Sequence, residues 1–323
     1  MKGCLKEVIG GFRLIKIIGV KRTLRLIFNR FFTKPEHRNK VRQKIKLEYI
    51  HKRFLHLKRR CQSAPFATGE NNGPVWVCWW QGEKQMPELV RMCYRRLLEA
   101  ARPQREVVLI TKDNYSSYVE IPDYILRKVK SRIISLTHFS DILRMSLLAK
   151  HGGLWIDATV YVHGKLPENI FKTPYFSGKA PYDERFVSRC EYTLFLIGSV
   201  PQAPWMIYAR DVMFEYWKTA NRVLEYSFTD YILISAMDSI PELRKEIVSS
   251  IVETPYIHTL ETLCNEPCDE MFFDKMMNLC SFYKLSYKID LKERTDTGKL
   301  TYWGYLKKQK ENDGYFKECL DKR

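Results

Sequence analysis

The chain has 323 residues, 45% of them hydrophobic, and a formal net charge of +17, enough apolar material for one large core or two modest ones. The charge is confined to one end: residues 1–60 hold 19 Lys/Arg against three acids, and residues 61–323 hold 35 basic and 34 acidic side chains. The near-neutral body argues against nucleic-acid binding, nine scattered cysteines argue against a disulfide framework, and no run approaches the ~20 apolar residues of a membrane-spanning helix.

Residues 1–32 alternate apolar and basic side chains at helical spacing. Leu5, Val8, Ile9, Phe12 and Ile15 form one stripe, and Leu24, Ile27, Phe28 and Phe31 continue it beyond Gly19. Lys6, Arg13, Lys16, Lys21, Arg22, Arg25 and Arg30 take other positions. Such a helix reads as an anchor on an anionic membrane surface, each basic residue adding up to ~1 kcal/mol near anionic lipid. A solvated arm, or one packed on the body, is the alternative. No long apolar h-region precedes a small-residue cleavage site, so the expected location is cytoplasmic, at the inner face of the membrane. Residues 36–60 continue as a second basic helical stretch, and residues 63–74, rich in Ser, Pro, Gly and Asn, read as a linker. The expected division is an arm over 1–62, a linker over 63–74 and a folded domain over 75–323.

In the body, residues 75–80 are β-branched and aromatic enough for a strand. An amphipathic helix over 87–100 begins at proline, a second strand covers 107–111, and Lys112-Asp113-Asn114 form a turn beyond it. Residues 140–162, SDILRMSLLAKHGGLWIDATVYV, are the densest stretch. Ser140 is placed to cap a helix with Asp141 in its first turn, where the helix dipole favours an anion. Ile142, Met145 and Ala149 mark an apolar stripe, and Gly152-Gly153 can end the helix with positive φ. Leu154, Trp155 and Ile156 then make a buried strand that delivers Asp157 to its C-terminal edge. Asp141 and Arg144, three apart, share one helix face. Singly these are a helix-terminus acid, a solvated charge and a turn residue; together they gather two carboxylates and a guanidinium. Strand–helix alternation implies an α/β fold with a parallel sheet and ligands at the strands' C-terminal edges. Beyond Pro204, helical patterns dominate over 205–220, 231–239 and 241–251. His258, Cys264 and Cys268 do not make a convincing zinc site, because C-x3-C lacks a second pair.

The pattern S-D-x-x-R followed by G-G-x-W-x-D resembles the sugar-nucleotide segment of glycosyltransferase family thirty-two. The capsular-polysaccharide-synthesis branch is the nearer likeness and the glucosylating clostridial toxins a more distant one. V-W-V-C-W-W-Q-G at 75–82, D-Y at 230–231, I-P-E at 240–242, K-L-S-Y-K at 284–288 and G-K-L-T-Y at 298–302 are similar to further parts of that family, so the resemblance spans roughly residues 73–306.

The resemblance implies a GT-A-like nucleotide-sugar fold with a mostly helical C-terminal elaboration. It implies transfer of a hexosyl group, with retained anomeric configuration, from a nucleoside diphosphate sugar to an oligosaccharide or lipid-linked saccharide hydroxyl. Trp79 matches the tryptophan that stacks on the base, and Asn114 falls where relatives place a nucleoside contact. Asp141 and Arg144 match the pair on the transferred sugar, Gly152 and Gly153 the close-approach glycines, and Asp157 the first acid of D-x-D. Asp141, Arg144 and Asp157 are thereby the expected catalytic residues. Thr301 and Trp303 are similar to a toxin loop that closes on the diphosphate, and Asp230 falls on the acceptor side. A divalent cation, Mn2+ or Mg2+, is the implied cofactor. Here the chain departs from the wider pattern: D-x-D is Asp157-Ala158-Thr159, and a hydroxyl is a poorer ligand for such ions than a carboxylate. That leaves open whether Asp157 and Thr159 ligate directly, or whether the diphosphate or a C-terminal group such as His258 holds the ion. The missing acid also motivates an alternative, a non-catalytic sugar-nucleotide-binding or scaffold protein of polysaccharide assembly.

Overall fold

The structure, a computed structural model, describes residues 15–312. The stripe over Leu5, Val8, Ile9 and Phe12, with Lys6 and Arg13, lies outside the described residues.

Three basic helices come first: α1 (Val20–Phe32), α2 (Pro35–Arg53) and α3 (Leu55–Ser63). They do not stand apart from the body. Tyr49, Ile50, Phe54, Leu57 and Cys61 are buried in a core shared with the helices that follow. Polar ties reinforce the seam: Lys46 pairs with Glu225, and His56 Nε2 lies 2.8 Å from Glu215. The expected boundary at residue 63 is therefore one of composition, while in packing the helices over 35–63 belong to the core. The stretch read as a linker also docks. Asn71 is buried; its side chain donates to the Gly153 carbonyl at 3.0 Å and accepts from the Gly153 amide at 2.9 Å.

The main sheet has the order β2-β1-β3-β6-β5-β7, with β1 (Val75–Cys78), β2 (Val107–Ile110), β3 (Gly153–Ile156), β5 (Tyr175–Lys179), β6 (Leu196–Ser199) and β7 (Ile251–Glu253). Its strands are apolar on both faces because both faces are covered. Trp76, Val108, Trp155 and Ile197 face one core; Val75, Val77, Leu154 and Leu196 face the other. The first core is closed by α7 (Leu136–His151), α8 (Pro204–Thr219), α9 (Phe228–Met237) and the N-terminal helices. The second is closed by α4 (Glu88–Ala101), α12 (Glu270–Leu279) and α13 (Tyr302–Asn312). Between β2 and α7 lie α5 (Tyr115–Tyr118) and α6 (Asp123–Lys130); α10 (Pro241–Ser249) precedes β7, and α11 (Thr259–Leu263) follows it.

β1 is parallel to both β2 and β3, as strand–helix alternation requires. The sheet as a whole is mixed, which corrects the expectation of a parallel one. β6 runs antiparallel to β3 and to β5, because the chain returns from β5 through residues 180–195 without a crossover helix. A small second sheet pairs β4 (Val160–Val162) with β8 (Phe282–Lys284), antiparallel, Val160 opposite Lys284. These short strands interrupt the helical C-terminal half.

Candidate active site

Because β1, β2 and β3 are parallel, Trp79, Asn114 and Asp157 all follow strand ends on one edge of the sheet. α7 reaches the same edge, but it starts earlier than expected. Its cap is Ser135, whose hydroxyl accepts from the His138 amide at 3.2 Å. Ser140 instead donates to the Thr137 carbonyl at 2.7 Å, inside the helix. The extra turn forms because His138 and Phe139 are buried and pack as helical residues. Asp141 thus sits in the second turn, where the dipole does little for it; neighbouring side chains hold its charge.

The i,i+3 pairing and the strand end do converge. Arg144, 3% exposed, donates to Asp141 at 2.7 Å and to Asp157 at 2.9 Å. The Trp155 indole N–H donates to the same Asp157 oxygen at 2.8 Å, and the guanidinium lies 4.9 Å from the Trp155 ring centroid. The other Asp141 oxygen accepts from the Thr229 hydroxyl at 3.2 Å and faces His138 Nδ1 at 3.6 Å; His138 Nε2 accepts from the Trp217 indole at 3.0 Å. Burial opposes the Arg144 charge, yet the two carboxylates outweigh it and raise its pKa. Burial also opposes ionisation of Asp157, but Arg144, Lys284 and the indole hold its carboxyl below the usual range. Both groups are charged at neutral pH. Asp230, in the first turn of α9, goes the other way: burial, with the Asp141 charge added, pushes its pKa up to about 7.

Several of the other expected site residues partner their polar groups within the chain. Trp79 is half-buried at the edge, its indole N–H donating to the Gln85 carbonyl at 3.2 Å and its ring 5.5 Å from that of Tyr287. Asn114 spends its amide locally, accepting from the Thr111 amide at 2.8 Å and donating to the Leu109 carbonyl at 2.8 Å, so it closes the turn after β2. Gly152 (φ 65°) and Gly153 (φ 95°) are required by the chain itself: a Cβ on Gly153 would lie 2.2 Å from the Pro74 carbonyl oxygen. Thr301 is fully buried, donating to the Lys292 carbonyl and accepting from the Gly304 amide, and Trp303 is buried in the second core. His258 Nδ1 lies 3.3 Å from Glu261.

Sequence reasoning missed Lys284. Its ammonium donates to the Thr159 hydroxyl and to the Leu285 carbonyl, and it lies 5.7 Å from the Phe195 ring centroid. The residues expected to ligate a cation do not fit one directly. One Asp157 oxygen already accepts two hydrogen bonds, the Thr159 hydroxyl faces an ammonium, and the described residues contain no group of three or more His, Cys, Asp or Glu able to hold an ion.

The layered α/β fold thus gathers an acid–arginine–acid cluster at the C-terminal edge of its parallel strands, and the chain around it is that of a polysaccharide synthesis protein. The chain belongs to the capsular polysaccharide synthesis protein family, whose model matches residues 27–306. That match takes in α2 and α3, in keeping with their place in the core. Among curated proteins none matches the chain. The solved structures similar to it include two glycosyltransferases. One is the PaToxG glycosyltransferase, at 14% identity and a TM-score of 0.38, covering 65% of this chain and 83% of that one. The other is the galactosyltransferase LgtC in complex with donor and acceptor sugar analogs, at 8% identity and a TM-score of 0.38, covering 73% and 94%. Likeness of that degree leaves the site to be argued from this chain's own residues.

Proposed function

We propose that the protein is a retaining hexosyltransferase. It takes a nucleoside diphosphate sugar as donor and the hydroxyl of an oligosaccharide or lipid-linked saccharide as acceptor. The observation that carries the reading is the Asp141–Arg144–Asp157 cluster, charged and preorganised on the edge that also presents Trp79. Ionised groups held in place make strong hydrogen bonds to sugar hydroxyls, and a half-buried tryptophan offers a face to a base. On a front-face path the bond from the anomeric carbon to the diphosphate breaks as the acceptor oxygen bonds to that carbon. The acceptor proton passes to the departing phosphate oxygen. Asp230, whose pKa is pushed up to about 7 by burial and by the Asp141 charge, stands beside this cluster, and the resemblance puts it on the acceptor side.

The acceptor's location is read from α1. Its polar Thr23 and Asn29 are buried, donating to the Gly19 and Arg38 carbonyls, and the apolar stripe points outward, with Leu24, Phe28 and Phe31 at 57%, 61% and 64% exposure. An outward apolar face flanked by Lys21, Arg22, Arg25 and Arg30 matches an anionic lipid surface in both shape and charge. The protein then works at the cytoplasmic face of the membrane, beside a lipid-linked acceptor.

The test is thermal stabilisation by UDP- and GDP-sugars, followed by transfer or donor hydrolysis with the stabilising donor. Stabilisation with turnover, lost in Asp157→Ala, is expected. Stabilisation without turnover for any acceptor extract would instead make the protein a sugar-nucleotide-binding scaffold, and no stabilisation by any donor would refute the reading.

A further inference from the structure

We propose that the Lys284 ammonium stands where a divalent cation would otherwise meet the donor's diphosphate, so that nucleoside diphosphate binds without a metal. The inference rests on the reading of this edge as a nucleoside diphosphate sugar site. Three observations carry it.

The cation position is already filled by a fixed positive charge. Val160 pairs with Lys284 across β4 and β8, and the Leu285 amide donates to the Thr159 carbonyl at 2.9 Å. These bonds bring the lysine to the second acid position of the expected D-x-D, where Thr159 accepts from it. A metal ion bound at Thr159 would lie against that ammonium, and like charges at such range repel strongly in a half-buried site.

The local charge also calls for a cation. Asp141, Arg144 and Asp157 together leave one negative charge uncompensated at a site that must receive a diphosphate, negative on both phosphoryl groups. Lys284 supplies that cation, beside Thr159. Among the described residues no carboxylate lies within ion-pair distance of its ammonium, whose partners are a hydroxyl and a carbonyl. A lysine of this kind is a compact point charge with rotatable donors, suited to phosphate oxygens.

The third observation is direction. Three residues beyond Lys284, Tyr287 lies edge-on to Trp79. Residues 284–287 thus run from the D-x-D position to the aromatic at the end of β1, the span from phosphate to base in a bound nucleotide.

The experiment measures binding of UDP, GDP and the corresponding nucleosides by calorimetry, in excess EDTA and again in Mn2+, for the wild type, Lys284→Met and Lys284→Arg. Expected is nucleoside diphosphate binding in EDTA within about threefold of that in Mn2+. Lys284→Met is expected to lose about tenfold or more in diphosphate affinity, the size of one charge-assisted contact, with nucleoside affinity unchanged. Lys284→Arg should restore most of the loss. A lysine that only tied Thr159 to Leu285 would not separate diphosphate from nucleoside in this way. Wild-type binding that vanishes in EDTA overturns the inference, as does a Lys284→Met protein that binds diphosphate as the wild type does or loses nucleoside equally. Those outcomes leave the nucleotide site standing. Absence of binding by every nucleotide, with and without Mn2+, removes the site itself.

Discussion

Replacing Arg144 by Met tests whether the cluster is held by charge. The guanidinium side chain is 4% exposed and pairs with two carboxylates whose side chains are 16% and 28% exposed. Methionine keeps most of the volume and contact with Trp155 but takes from Asp141 and Asp157 the charge that both are hydrogen-bonded to. Breaking a buried pair by removing one partner costs about 3–5 kcal/mol, a large share of the ~5–15 kcal/mol of a typical domain. The loss must depend on pH. In the wild type the folded Asp157 pKa lies below its unfolded value of about 3.9, so its contribution is full above that value and fades as pH falls through the folded pKa. In Arg144→Met the Asp157 pKa moves up, so the penalty is full at neutral pH and shrinks once the carboxylates are protonated. Urea unfolding at pH 7 and pH 4 reads both numbers. A penalty below about 1 kcal/mol at pH 7, or an equal penalty at both pH values, would refute an electrostatic origin. Activity should fall with the wild-type fold retained in mild conditions, and Asp141→Asn in the Arg144→Met background should recover part of the stability.

Asp230→Asn should stabilise the protein at pH 8 by about 1–3 kcal/mol and change little at pH 4. A carboxyl whose folded pKa is raised to about 7 loses stability for the fold as pH climbs from its unfolded pKa through 7; identical urea midpoints at pH 8 would contradict this. Gly153→Ala should yield insoluble protein or cost more than about 3 kcal/mol, given positive φ and a Cβ 2.2 Å from a backbone oxygen; a normal melting temperature would be the counter-result. Phe28→Glu with Phe31→Glu should abolish sedimentation with anionic liposomes without lowering Tm, since both rings are exposed. Retained liposome binding would show that α1 is not the contact.

The Asp141–Arg144–Asp157 cluster is legible in the sequence because its parts are close together along the chain. Asp141 and Arg144 are three apart on one helix, and a glycine break with a short apolar strand brings Asp157 back beside them thirteen residues later. Periodicity and turn chemistry carry that much information. They could not place the start of α7, because Ser135 and Ser140 are equally good caps locally and burial of His138 and Phe139 decides between them. They also could not show that Asn71, in a stretch composed like a linker, locks Gly153 from 82 residues away. Lys284 is the sharpest case. It lies 125 residues beyond Thr159 in a three-residue strand too short to signal itself, and only the β4–β8 register joins the two. Thr159 taken alone is a lost metal ligand; across from Lys284 it is the acceptor for a charge that the chain supplies itself. Local pattern cannot connect the two, because Thr159 only precedes β4 and Lys284 ends β8, and the register between those strands is what brings them together.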